Sequence, residues 1–197
     1  MSIDLPIQAA LERFDAENAC DPKHIQVGDA EVPYELFYAR ELEKWVRQLC
    51  PNPPSALLLA AHCQHLRRWE IPRSSYEMTR VGYLKWRTEL KKFHAEKSAE
   101  ILTELAFPPA TIERVQALNL KRDLGRDAEM QVLEDALCLV TLEHQLDELI
   151  ARNKPEKMIG IIQKTWRKMS EAAHAEAMKL SFSPPARELI QQALSAA

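Results

Sequence analysis

The scarcity of glycine and the spacing of proline constrain this fold more than any other feature of the sequence. The 197-residue chain contains only 4 Gly but 12 Pro. Few positions can therefore adopt a positive φ, which disfavours a turn-rich β protein and a glycine-rich phosphate-binding loop. Most prolines lie between stretches whose apolar residues recur at helical spacing, where proline starts or stops a helix. The sequence predicts an all-α protein, a compact single-domain helical bundle over residues 1–197.

The pattern of apolar residues also predicts where the individual elements lie. One short stretch, residues 25–32, alternates around Gly28-Asp29 and favours a tiny β-hairpin. Thr79 is a predicted N-cap for one long helix, or two in series. A first helix begins after a cap at Asp4 or Ser2, and the later helices are predicted at residues 33–49, 55–71, 80–105, 110–120, 127–152, 155–169, 171–180 and 184–195.

Several classes of protein are disfavoured by the sequence. No run of about 18 apolar residues is present, so no transmembrane helix and no membrane partner is expected. Residues 1–4 lack the basic start and apolar core of a signal peptide. The four Cys include no CxxC pair, which disfavours a disulfide framework and cysteine-bound zinc. We therefore expect a cytoplasmic protein.

The net charge of −3 conceals one basic segment. Residues 62–97 contain nine Lys or Arg and four Asp or Glu, a local balance of +5, so the rest of the chain carries −8. A net acidic protein with one basic segment is better suited to binding a small anion locally than to coating nucleic acid. The charge pattern predicts a small phosphorylated ligand, with RNA as the less favoured partner.

Two histidines lie in the predicted helix at the start of this segment. A spacing of three places His62 and His65 on one face of this helix, with Trp69 one turn further along. Two imidazoles so placed can share a metal ion or flank a phosphate. The alternative is that each is a hydrogen-bonded histidine beside the core.

Arginines cluster at the end of the same stretch. Arg67, Arg68 and Arg73 lie within seven residues. Because a guanidinium group can bind two phosphate oxygens at once, this cluster favours an anion site. The alternative is a solvated basic face paired with Glu70 and Glu77.

The helix predicted after Thr79 continues the basic pattern. Spacings of four and three align Arg87, Lys91 and His94 along one face, with Lys85 nearby. His94 lies where the polar and apolar faces meet, a position suited to a ligand or a general acid/base. Alternatively, Trp86 is a core residue and the lysines are solvated.

Two acidic residues interrupt an apolar stretch later in the chain. Glu134 and Asp135 lie within a predicted buried helix face. A buried carboxylate is costly unless it meets a cation, a metal ion or several hydrogen-bond donors. We expect one of the two to face an Arg or His of the basic segment, either as a structural salt bridge or as a metal ligand.

Three segments resemble the HD-domain superfamily of metal-dependent phosphohydrolases. Residues 59–62 resemble the segment that ends at the His of its His-Asp dyad, residues 94–96 its later His segment, and residues 135–137 its last acidic position. The resemblance implies a divalent metal ion and an HD-like helical core over about residues 35–150, with the helices of residues 155–195 packed on it. Cys63 follows His62 where the superfamily has Asp, and Tyr38 stands about where its first His would lie.

A second resemblance covers nearly the whole chain. Residues 62–73, 82–87 and 164–169, together with Asp135, are similar to a family catalogued as domain of unknown function 4202. This resemblance implies no particular activity.

Three functions are compatible with these residues. The first is a phosphohydrolase or other phosphoester-processing enzyme, with a divalent metal ion or acid–base histidines and no organic cofactor. The second is a non-catalytic nucleotide- or RNA-binding module, and the third is a helical interaction protein. The candidate residues are His65 and His94 for catalysis, Arg67, Arg68, Trp69, Arg73, Lys85 and Arg87 for substrate binding, and His62, His65, His94 and Asp135 for metal binding.

Overall fold

The computed structural model describes residues 4–195, most of which are helical. Among the described residues there is one small antiparallel sheet, and none of the helices is long and apolar enough to cross a membrane. The elements are α1 (Leu5–Asn18), β1 (His24–Val27), β2 (Ala30–Pro33), α2 (Tyr34–Leu49), α3 (Ser55–Cys63), α4 (Arg80–Glu104), α5 (Pro109–Asn119), α6 (Ala128–His144), α7 (Leu146–Arg152), α8 (Pro155–Trp166), α9 (Glu171–Ala177) and α10 (Pro184–Ser195). The prediction of an all-α fold with one tiny hairpin is confirmed.

The chain divides into two units. Unit 1 comprises residues 1–47 and 51–122, and unit 2 comprises residues 48–50 and 123–197. The prediction of one domain over residues 1–197 stays a prediction, and residues 1–3 and 196–197 lie outside the described part.

In unit 1, α5 packs against α3 and α4, and α1 packs against the same two helices. These helices bury their apolar side chains against one another, which stabilises unit 1. The side chains at its centre are almost fully buried and include Phe14, Leu42, Leu57, Leu102 and Val115.

In unit 2, α6 packs against α7 and α9, while α8 and α10 pack against each other and against α7. Its buried side chains include Met130, Leu133, Leu139, Met158 and Ile162. Asp127 caps α6 by accepting a hydrogen bond from the backbone N–H of Met130 at 2.9 Å.

Local residues explain why α4 is a single helix of 25 residues. The Thr79 hydroxyl accepts a hydrogen bond from the backbone N–H of Gly82 at 3.1 Å and caps the N-terminus. At the other end, Ala106 adopts a φ of 57° and Phe107 donates to the carbonyl of Leu102, which is the usual left-handed helix stop. Of the two alternatives predicted here, one helix or two in series, the single helix is found.

Two predicted helices are shorter than expected. The helix predicted over residues 55–71 ends at Cys63, and a short 3-10 helix follows at Arg68–Glu70. Arg67 between them has a φ of 50°, which no α-helix tolerates. The helix predicted over residues 127–152 is interrupted at Gln145, whose φ of −120° lies outside the helical range, so α6 and α7 are separate.

Candidate functional site

The first turn of α2 is held by a buried aspartate from the preceding loop. Asp21, which is 4% exposed, accepts hydrogen bonds from the backbone N–H groups of Lys23 at 2.9 Å and of Glu35 at 3.0 Å. Tyr34 also donates its backbone N–H to the carbonyl of Lys23 at 2.8 Å. These bonds close the base of the β1–β2 hairpin and fix Glu35 at the start of the helix.

Glu35 is the carboxylate around which the candidate site is built. Its Oε2 lies 3.0 Å from Nδ1 of His65, and its Oε1 lies 3.9 Å from Nε of Arg68. Burial raises the pKa of Glu35 to about 7, although the positive charges of Arg68 and Lys23 act in the opposite direction. Glu35 and His65 therefore form a hydrogen-bonded dyad that can hold or release a proton near neutral pH.

Aromatic contacts orient the imidazole of this dyad. Tyr38, one turn after Glu35 in α2, stacks on His65 with ring centroids 4.2 Å apart and an interplanar angle of 18°. On α4, His94 has its ring centroid 6.1 Å from that of His65. Burial raises the pKa of the Tyr38 hydroxyl, so this residue is neutral and serves as a packing surface.

His94 is buried, and its two ring nitrogens differ in their hydrogen bonding. Its Nδ1 lies 2.9 Å from the carbonyl oxygen of Leu66, so Nδ1 carries the proton and donates it to that carbonyl. The opposite nitrogen, Nε2, is buried and has no hydrogen-bond partner among residues 4–195. Burial, the neighbouring His65 and the charges of Arg68 and Arg87 lower the pKa of His94 well below its usual value.

His65 is neutral for similar reasons. Burial lowers its pKa, and the positive charges of Arg68, Arg87 and Lys121 lower it further. When Nδ1 donates to Glu35, the remaining nitrogen Nε2 carries a lone pair. No residue in the described chain forms a hydrogen bond with that Nε2.

Cations outnumber carboxylates around the two histidines. Arg87 is half-buried and has no hydrogen bond or ion pair within residues 4–195. The guanidinium of Arg68 lies over the ring of Trp86, 4.9 Å from its centroid, and Trp86 is fixed by a 2.9 Å hydrogen bond from its Nε1 to the carbonyl of Ile71. A guanidinium group that is partly withdrawn from water and has no counter-ion among the described residues makes this site attractive to an anion.

His62 has different partners from the other two histidines. Its Nδ1 lies 2.8 Å from Asp15 and its Nε2 lies 2.6 Å from Glu43. Burial lowers the pKa of His62, but the hydrogen bonds to Asp15 and Glu43 and their charges outweigh that effect and raise it to about 9. The prediction that His62 and His65 share a helical face is wrong, because α3 ends at Cys63 before the next turn forms.

The predicted substrate-binding residues fall into three groups. Arg68 and Arg87 lie beside the histidines. Arg67 pairs with Glu17 at 2.5 Å, and Arg73 donates to backbone carbonyls, including that of Glu77 at 2.6 Å. Both arginines therefore form structural contacts within the protein. Lys85 is exposed and lines a separate cavity of about 650 Å³, while Trp69 is half-buried in the 3-10 helix after His65.

Asp135 belongs to unit 2, where its carboxylate is well satisfied. Its Oδ1 accepts hydrogen bonds from Gln131 and from the backbone N–H of Ser170, each at 2.9 Å, and its Oδ2 accepts from the Ser170 hydroxyl at 2.6 Å. Lys168 lies 3.2 Å from the neighbouring buried acid, Glu134. The grouping of Asp135 with the three histidines stays a prediction.

A buried polar cluster next to the site joins three helices of unit 1. Asn119 on α5 accepts a hydrogen bond from Gln64 at 2.6 Å and donates to Ser98 on α4 at 3.0 Å and to the sulfur of Cys63 on α3 at 3.2 Å. This cluster fixes the end of α3, from which the loop carrying His65 departs.

Sequence reasoning missed Glu35 and gave Tyr38 no role of its own. A signal for both residues was available. Glu35, Tyr38, Leu42 and Val46 recur at helical spacing and are all buried on one stripe of α2. An acid at the first position of an apolar stripe requires a polar partner, and that partner is His65.

The predicted metal ligands do not fit a divalent ion. The ring nitrogens of His62 and the carboxylate oxygens of Asp135 are already engaged in hydrogen bonds. The remaining donors are neutral nitrogens of His65 and His94, and the nearby guanidinium groups repel a cation.

Comparisons with known proteins give one informative match. No curated protein matches the chain. No solved structure matches it either. The profile of the family described as "Domain of unknown function (DUF4202)" matches residues 8–190, which is almost the whole sequence. The chain therefore belongs to the DUF4202 family.

Proposed function

We propose that unit 1 is a phosphoester-processing enzyme that uses Glu35, His65 and two arginines without a metal ion. The observation that carries this proposal is the half-buried Arg87, which has no counter-ion in the described chain and whose charge acts on both neutral histidines. A bound phosphate group would supply the missing negative charge.

Arg68 supports the same assignment. It is held over Trp86, and its distance of 3.9 Å from Glu35 leaves its N–H groups able to turn toward a ligand. Two guanidinium groups can bind several oxygens of one phosphate and stabilise the charge that develops during hydrolysis. The phosphate of a small metabolite or nucleotide is therefore the proposed ligand.

The dyad supplies the proton transfer. Glu35 accepts a hydrogen bond from Nδ1–H of His65, which leaves the lone pair on Nε2 as the base. Nε2 removes a proton from water, the resulting hydroxide forms a bond to phosphorus, and the ester P–O bond breaks. The leaving alkoxide then takes the proton back from His65, so the products are an alcohol and hydrogen phosphate.

This mechanism does not require a metal ion, in contrast to the expectation from the HD-domain resemblance. We expect turnover to be insensitive to chelators, because the proposed charge stabilisation comes from guanidinium groups. Four free cysteines support a reducing, cytoplasmic setting for the reaction.

The first test is anion binding by Arg87. We expect inorganic phosphate or pyrophosphate to raise the melting temperature of the wild-type protein. Arg87→Gln should lose at least about tenfold in affinity, because a charged hydrogen bond to the anion disappears. Arg80→Gln, a change of an exposed arginine on the same helix, is the matched control and should bind like the wild type.

The second test is turnover of a panel of phosphomonoesters and nucleotides in the presence of EDTA. His65→Gln should lose about 100-fold or more in kcat, which is typical for removal of a general base. Anion binding without turnover of any ester would favour the alternative, a nucleotide- or RNA-binding module. If neither binding nor turnover occurs, the proposed function is wrong, and the result favours the third hypothesis, a helical interaction protein.

A further inference from the structure

The unpaired nitrogen of His94 places a requirement on the ligand. The carbonyl of Leu66 fixes the proton on Nδ1, so Nε2 is a hydrogen-bond acceptor. That nitrogen is buried, and no group in the described part of the chain donates to it. Buried acceptors without a partner are rare and costly, which indicates that the donor arrives with a ligand.

The surrounding charges restrict which donor can approach. Arg68 and Arg87 both lower the pKa of His94 by their positive charge, and the same field repels an ammonium group. The dianion of a phosphomonoester has only acceptor oxygens and cannot donate to a lone pair. A neutral hydroxyl group satisfies both conditions.

The hydroxyl and the anion must be close together in the ligand. Arg87 acts on both His65 and His94, whose ring centroids are 6.1 Å apart, so the phosphate and the hydroxyl enter one small cluster. We infer that the ligand is a phosphoester of a polyol or sugar, with a free hydroxyl near the phosphorylated carbon that donates to Nε2 of His94. This inference rests on the proposed function and narrows its substrate class.

Two phosphate esters that differ only in a hydroxyl group serve as probes of this requirement. 2-Hydroxyethyl phosphate and ethyl phosphate carry the same dianion and the same carbon chain, but only the first has a neighbouring hydroxyl. Their affinities for the full-length protein are measured by calorimetry or ligand-observed NMR, with inorganic phosphate as the reference. We expect 2-hydroxyethyl phosphate to bind about tenfold more tightly than ethyl phosphate, since it satisfies a buried acceptor.

His94→Asn provides the matched variant. The side-chain amide of Asn can still donate to the carbonyl of Leu66, but it places no acceptor at the position of Nε2. The ratio of the two affinities should then fall to about one. If this variant does not fold, the wild-type ratio decides alone.

The outcomes separate the inference from the proposed function. Equal binding of the two esters by the wild type, with phosphate bound, overturns the hydroxyl requirement and leaves the anion site intact. A preference that persists in His94→Asn overturns the assignment of His94. Absence of binding by phosphate and by both esters overturns the proposed function, and this inference with it.

Discussion

Replacing His62 should remove a pH-dependent contribution to the stability of unit 1. His62 is 3% exposed and donates to Asp15 and Glu43, so it links α1, α2 and α3 as a buried cation. The two carboxylates raise its pKa from 6.5 to about 9. At 1.36 kcal/mol per pKa unit, this difference corresponds to about 3 kcal/mol of stability.

The sign follows from the direction of the shift. Because the pKa of His62 is higher in the folded state, the stabilisation is complete below about pH 6.5 and is lost as the pH rises through about 9. The pKa of Glu43 is lowered to about 2, chiefly by the hydrogen bond from His62. Its contribution is therefore present above about pH 4.5 and is lost as the pH falls through about 2. The two shifts describe one interaction and do not add.

The assay is urea unfolding of the wild type and of His62→Gln at pH 6, 7.5 and 9.5. A Trp166→Phe background leaves the remaining tryptophans in unit 1, so fluorescence reports that unit. The stability difference between wild type and variant should shrink by about 3 kcal/mol from pH 6 to pH 9.5. His24→Gln, which changes an exposed histidine, is the control. A difference that stays constant over this range would refute the assignment of a buried imidazolium.

Other substitutions test the packing described above, each by urea denaturation. Asn119→Ala should destabilise unit 1 by on the order of 2–3 kcal/mol, since the buried side chains of Gln64 and Ser98 lose this partner; no change would show that the cluster is unimportant. Gly82→Ala should cost about 1–3 kcal/mol, because its Cβ would lie 2.2 Å from a backbone oxygen. Gly160→Ala in α8 meets nothing within 4 Å and should instead stabilise by about 1 kcal/mol. Asp135→Ala should destabilise unit 2 by about 1–3 kcal/mol, because the N–H and hydroxyl of Ser170 lose their acceptor.

The elements were largely predictable from the sequence because their signals are local. Apolar spacing, the caps at Thr79 and Asp127, and proline at helix starts predict most boundaries correctly. The hairpin follows from Gly28, which has a φ of 59° in the turn. Local patterns do not predict the early end of α3, since Arg67 enters the left-handed region in a loop fixed by contacts with distant residues.

The candidate site was predictable only in part. His65, His94, Arg68 and Arg87 were predicted as site residues, and the structure brings them together. Glu35 was missed, because its pairing with His65 joins residues 30 positions apart. Conversely, Arg67 and Arg73 were predicted to bind phosphate, but Arg67 pairs with Glu17 and Arg73 donates to backbone carbonyls. The spacing of arginines in a sequence does not reveal whether each one already has a partner within the fold.

The closed base of the β1–β2 hairpin has a practical consequence. Asp21 and the bond between Tyr34 and Lys23 tie the two ends of this excursion together before the chain enters α2. The turn at Gly28 is exposed and lies beyond these bonds, so a change in its length or sequence should not move Glu35. An affinity tag or a fluorescent label inserted at Gly28 would therefore report on the protein while leaving the carboxylate in place.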